Sequence, residues 1–184
     1  MGDVDPEILF LYRSLDLGGV LLMGILGGTI ARQRHFDVMG FLFLALFSSL
    51  GGGMIRDALI GRGTVAAMAQ PEYLALAFSG AIIACLTTFR GRAWELFQVH
   101  ADAIVLGAWA VTGCVKALSH DLPYLSAIFM GVLTGVGGGM IRDVVIGQVP
   151  GIFRGGKLYA IPALVSGASM VAFHVAGHDA VGMI

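Results

Sequence analysis

The heptad GGGMIRD fills positions 51–57 and recurs, letter for letter, at 137–143, 86 residues further on. Held at that offset, the chain goes on agreeing with itself. Asp16 falls on Asp102, Gly27 on Gly113, Ala31 on Ala117, Phe43 on Phe129, Ile60 on Ile146, Gly61 on Gly147 and Tyr73 on Tyr159. Ser48 meets Thr134, a matched hydroxyl just ahead of the glycines. A chance match of seven letters does not bring aligned neighbours with it, so the chain is an internal duplication, and such a repeat governs the whole fold.

Each copy lies in strongly apolar sequence. Of 184 residues, 57% are hydrophobic and 12% charged, about half the charge of an average soluble domain. The bilayer is the solvent that tolerates this surplus. A net charge of −1 offers no basic field for nucleic acid. Six runs approach the roughly 20 residues a membrane helix needs: Ile8–Ala31, Val38–Gly61, Tyr73–Phe89, Ala101–Leu118, Tyr124–Gly147 and Leu158–His174. Ala180–Ile184 reads as the start of a seventh span, truncated before it could cross. The prediction is an all-α polytopic membrane protein, one membrane domain over 1–184. It has a three-helix repeat at 8–89, a second at 94–175, and the start of a seventh helix at 176–184. Three is an odd number, so the second unit enters the membrane from the opposite side.

The acidic start MGDVDPE lacks the features of a cleaved signal, so the first run is expected to remain as a span. Arg32 and Arg34, Arg90 and Arg92, and Arg154 and Lys157 fall in the links after spans 1, 3 and 5. That bias places these links in the cytoplasm and the N-terminus outside a cell's inner (plasma) membrane. Cys85 and Cys114 read as buried small hydrophobes, and no ligand spacing suggests a metal or another cofactor.

Three consecutive glycines cost a helix about 1 kcal/mol each relative to alanine. Gly51, Gly52 and Gly53, with Gly137, Gly138 and Gly139, are therefore read as a break or kink in spans 2 and 5, with close packing as the plainer alternative. Arg56, Asp57, Arg142 and Asp143 follow the glycines, and charges within spans turn to the protein interior or to a wet path. Symmetry suggests pairing across the repeats, Arg56 with Asp143 and Arg142 with Asp57. The alternative is that all four snorkel to the interface. Asp16 and Asp102 form a second acidic pair, with Arg13 on the face of Asp16 as a local partner. Lys116 lies near the far end of span 4, placed to snorkel or to gate a path. Ser48, Thr134 and these residues complete the site as read. No nucleophile–base set suggests an enzyme. Spacing and symmetry alone leave two functions open: a cation channel, and a secondary transporter for glycine or another small amino acid.

The doubled GGGxxRD motif, the three-plus-three inverted spans, the external N-terminus and the basic links together resemble the prokaryotic trimeric intracellular cation (TRIC) channels. More closely, they resemble the bacterial branch that carries a glycine-transporter domain. The resemblance covers almost the whole chain. It implies a homotrimer with a pore in each protomer, lined by spans 2 and 5 kinked at their glycines, and passive flow of monovalent cations, chiefly potassium, with sodium as a second permeant ion. No TVGYG-like filter occurs, so strong discrimination between the two is not expected. Animal relatives carry a lysine-containing phosphoinositide motif in span 2 that this chain lacks.

Overall fold

The computed structural model describes residues 6–89, 91–154 and 160–182, with the side chains of all but 6–9 and 179–180. The acidic residues 1–5, Arg90, the link and span start at Gly155–Tyr159, and Met183–Ile184 lie outside them. The described residues are helical or in turns: α1 (Pro6–Gln33), α2 (Val38–Ile60), α3 (Ala66–Ala69), α4 (Pro71–Leu86), α5 (Arg92–Leu118), α6 (Tyr124–Val145), a 3-10 turn (Gly151–Phe153), α7 (Ile161–Val175) and α8 (Asp179–Gly182).

Among the described residues, four helices, α1, α2, α5 and α6, are long and apolar enough to cross a membrane. The third helix of each unit is shorter, α4 with 16 residues and α7 with 15. At 1.5 Å per residue these are about 24 Å and 22 Å long, against a hydrocarbon core of about 30 Å. The expected seventh span is represented by α8, a single turn packed on α7.

Burial follows the logic of a protein dissolved in lipid. The inside is lined with small residues: Ala31, Ala45, Ala77, Ala110, Ala117, Ala127 and Ala163 are fully buried, so helix backbones approach closely. The outside carries the large apolar side chains, among them Phe10, Val38, Leu86 and Leu125. Cys114 is buried as expected, but Cys85 is exposed, because its position on α4 faces outward.

The two units meet where α2 crosses α6, and the crossing is made of the glycine triplets. A Cβ on Gly52 would overlap the carbonyl oxygen of Thr134, and one on Gly138 would overlap that of Ser48. A Cβ on Gly51 would lie 2.7 Å from Cδ1 of Ile141, and one on Gly137 3.5 Å from Cδ1 of Ile55. Gly27 closes on Ser48 within the first unit, and Gly113 closes on Thr134 within the second in the same way. Every contact has its partner at the 86-residue offset. Reciprocity of this kind is the mark of a twofold axis, here running between Gly52 and Gly138, and it makes the two three-helix units inverted repeats.

The expected break at the glycines does not occur. Hydrogen-bonded helix runs unbroken from Val38 to Ile60 and from Tyr124 to Val145. The propensity cost is met by packing, because without side chains at Gly51, Gly52, Gly137 and Gly138 the two backbones touch. Both helices end instead at the matched glycines that follow, Gly61 and Gly147, at φ 65° and 70°, a left-handed conformation that suits glycine.

Candidate functional site

The charged half of each heptad lies at the C-terminal end of its helix, so the two sites fall on opposite faces of the bundle. The first is on the face where α1 begins. Arg56 and Asp57 are both buried, and Arg56 Nε donates to Asp57 Oδ1 at 2.7 Å. Lys116, arriving on α5, donates to the same oxygen at 2.7 Å. The other oxygen, Oδ2, accepts the backbone N–H of Ala66 at 2.8 Å, which ties the first residue of α3 to the end of α2. A buried carboxylate is stable only when its charge and lone pairs are matched, and Asp57 has two cations and an amide.

The second site, on the face where α1 ends, repeats the plan with fewer parts. Arg142 donates to Asp143 Oδ1 from Nη2 at 3.0 Å and from Nε at 3.1 Å. Asp143 Oδ2 accepts the N–H of Gly151 at 3.0 Å, the first residue of the 3-10 turn. The position equivalent to Lys116 is Ile30, so no lysine arrives there.

These bonds correct the expected cross-repeat pairing. Each arginine pairs with the aspartate next to it in sequence, because the twofold axis passes through the glycines and holds the two charged ends apart on opposite faces. Nor do the charges snorkel: the Arg56 and Asp57 side chains are 7% and 3% exposed. Asp16 also differs from expectation. Its carboxylate accepts from the Tyr73 hydroxyl on α4, while Arg13 pairs with Glu72 and donates to Gln70. The Ser48 and Thr134 hydroxyls bond back to the carbonyls of Leu44 and Met130, each at 2.6 Å, one turn earlier.

A cavity opens beside each charged end. The first, of about 40 Å³, is lined by Asp16, Ser49, Gly53, Arg56, Asp57, Tyr73 and Thr134, with Trp109 and apolar neighbours. It is large enough for a few waters. The second, of about 190 Å³, is lined by Leu26, Ile30, Gln98, Val99, Asp102 and Arg142. At the repeat offset Asp16 is Asp102 and Arg56 is Arg142, so each cavity holds the same acid and the same base from its own unit. Gly53 and Gly139, the third glycines, are only half-buried, unlike the two before them. Gly53 faces the first cavity with Nη2 of Arg56 as its nearest neighbour, at 3.7 Å. The triplet thus divides into two packing glycines and one beside the cavity. Sequence reasoning missed Tyr73 as the partner of Asp16, and the two backbone amides, although the Tyr73–Tyr159 match at the offset was a usable signal. Among the described residues, no cluster of His, Cys, Asp and Glu could hold a metal.

An apolar helical bundle with a twofold between inverted units and a polar cavity on each face defines a membrane protein of the channel-and-transporter class. The family described as glycine transporter matches the chain twice, over residues 13–88 and 99–175, and the chain belongs to that family. Curated relatives are membrane proteins of the UPF0126 group. One from Streptomyces coelicolor is 41% identical over 86% of this chain and 73% of its own length. One from Deinococcus radiodurans is 35% identical over 85% and 73%. An inner membrane protein of Escherichia coli strain K12 is 32% identical over 83% and 74%. Among solved structures, the TRIC trimeric intracellular cation channel orthologue from Rhodobacter sphaeroides superposes with a TM-score of 0.84 at 30% identity, over 94% of this chain and 89% of its own. A second structure, described for conductance through TRIC cation channels, gives 0.84 at 27% identity over 93% and 84%. The chain has the TRIC channel fold.

Proposed function

We propose that the chain is a passive, potassium-permeable cation channel of the inner membrane, with a pathway in each protomer of a trimer and the N-terminus outside. The observation that carries this reading is the pair of repeat-related cavities, one on each face, separated by the contact of α2 with α6 at Gly52 and Gly138. The solved neighbours described as cation channels support it. The arginines, an obstacle in a cation path, are each paired with the adjacent aspartate, one to one at Asp143, while Asp57 is shared between Arg56 and Lys116. Asp16 and Asp102 place a second carboxylate in each cavity. The glycine contact is the shut position of the pathway, and conduction requires α2 and α6 to part there.

A second reading, transport of a small zwitterion, has one specific observation behind it. Asp102 and Arg142 line one cavity, an acid for an ammonium and a guanidinium for a carboxylate.

Gly53→Leu tests the pathway. The added side chain fills the first cavity without touching the helix crossing, so potassium flux should fall at least tenfold in a protein that remains folded. Parent-level flux would place the pathway elsewhere.

A further inference from the structure

A second pair of cavities, sharing no lining residue with the first pair, meets at Arg32 and His35 on the face where α1 ends. Arg32 Nη1 donates to the carbonyls of Ala84, Cys85 and Thr87 at 3.3, 3.2 and 2.9 Å. Those bonds hold the guanidinium at the C-terminal end of α4 and leave Nε and Nη2 outside that set. On one side lies a hollow of about 410 Å³ with Thr29, Gln33, Thr87 and Thr88 in its lining. On the other lies a crevice of about 510 Å³ between α2 and α4, walled by Val38, Phe41, Leu42, Ala81 and Ile82. Arg32 and His35 line both. A cationic, hydroxyl-rich hollow thus runs into a lipid-facing apolar crevice.

The duplication supplies an internal control. His35 has φ 55°, and its counterpart Asp121 has φ 58°, so the same strained turn is built twice, once on each face. The first copy reads Arg32-Gln33-Arg34-His35 and the second Leu118-Ser119-His120-Asp121. The backbone is retained while the charge is reversed. Among the described residues that line the two cavities, Asp37 is the one carboxylate, and its Oδ1 accepts the N–H of Gly40 at 2.7 Å as the N-cap of α2.

We propose that this junction binds one anionic phospholipid per protomer. The phosphodiester lies at Arg32 and His35, the headgroup hydroxyls lie in the threonine-lined hollow, and an acyl chain lies along the crevice between α2 and α4. Charge selects the headgroup, and the crevice selects a lipid over a free phosphate. The site is independent of the conduction pathway.

The test is native mass spectrometry of the purified protein with added phosphatidylglycerol, phosphatidylcholine of the same chains, or glycerol 1-phosphate. Two variants are compared with the parent. His35→Asp puts in the residue that the equivalent turn already tolerates, and Ile82→Trp fills the crevice. The parent should retain one phosphatidylglycerol per protomer, at least tenfold over phosphatidylcholine, and no glycerol phosphate. His35→Asp should lose the preference for the anionic lipid, Ile82→Trp should lose the lipid, and both should keep parental potassium flux. Equal retention of the two lipids, binding of glycerol phosphate as strong as of the lipid, or an unchanged preference in His35→Asp would overturn the proposal. So would loss of the oligomer rather than of lipid in Ile82→Trp, which would make the crevice a subunit contact.

Discussion

The two charged sites begin from identical heptads and differ in what the rest of the molecule brings to them. Asp57 gathers Arg56, Lys116 and the Ala66 amide, and its side chain is 3% exposed. Asp143 gathers Arg142 and the Gly151 amide, and its side chain is 10% exposed beside an arginine at 14%. The shared part is the scaffold: an aspartate at the end of a glycine-packed helix, tied to its neighbouring arginine and to the segment that follows. The unshared part is one lysine, which puts two cations on one carboxylate at the first site, beside a small cavity, where the second has one arginine on its aspartate beside a larger cavity. Duplication supplied two equivalent frames, and one mismatch, Lys116 against Ile30, sets their charge apart.

The largest effect should come from the part the two sites share. Gly52→Leu or Gly138→Leu drives a side chain into a backbone carbonyl with nowhere to go. Little or no folded protein is expected from either, as read by size exclusion in detergent. Overpacking costs about 1–3 kcal/mol where a core can relax, and here the obstructing atom is main chain. Normal folding of either variant would mean that α2 and α6 do not touch as described.

Next comes the difference itself. Asp57→Asn leaves two cations without their buried counter-charge, and breaking a buried pair costs about 3–5 kcal/mol. Asp143→Asn leaves one partly exposed arginine and should cost clearly less, about 1 kcal/mol after solvent screening. Equal shifts in thermal unfolding would erase the distinction drawn between the faces. Lys116→Met should then make the first site resemble the second. Asp57 keeps Arg56 and Ala66, so the change in stability should stay within about 1 kcal/mol, while potassium flux rises because a positive charge has left the mouth. Reduced flux would mean that the Lys116 charge does not oppose cation entry.

The smallest effect has the opposite sign. Gly53→Ala adds a methyl group in ordinary van der Waals contact with Nη2 of Arg56, at 3.7 Å, within an unbroken helix, and should raise stability by up to about 1 kcal/mol through helix propensity. Destabilisation there would show that the third glycine also packs.

Much of this was legible in the letters. The repeat, the six apolar runs and the inverted relation followed from the heptad, the offset and the odd number of spans. The Asp16–Asp102 and Arg56–Arg142 matches anticipated the acids and bases of the two cavities. The state of the glycines was not legible: propensity alone argues for a break, and the compensation comes from a helix distant in sequence. The pairing of the charges was not legible either, because symmetry permits crossed partners and only the position of the axis decides against them. The lysine at Asp57 was visible only as a mismatch, Lys116 against Ile30, and a mismatch carries no address until the helices are placed.

The central claim is a passive cation path, and reconstituted liposomes test it most directly. Potassium flux down an imposed gradient is compared with uptake of labelled glycine in the same preparation. Fast potassium flux with no coupled ion and no glycine accumulation is the predicted result. Saturable glycine uptake with little ion leak would contradict it and make the inverted repeat a transporter.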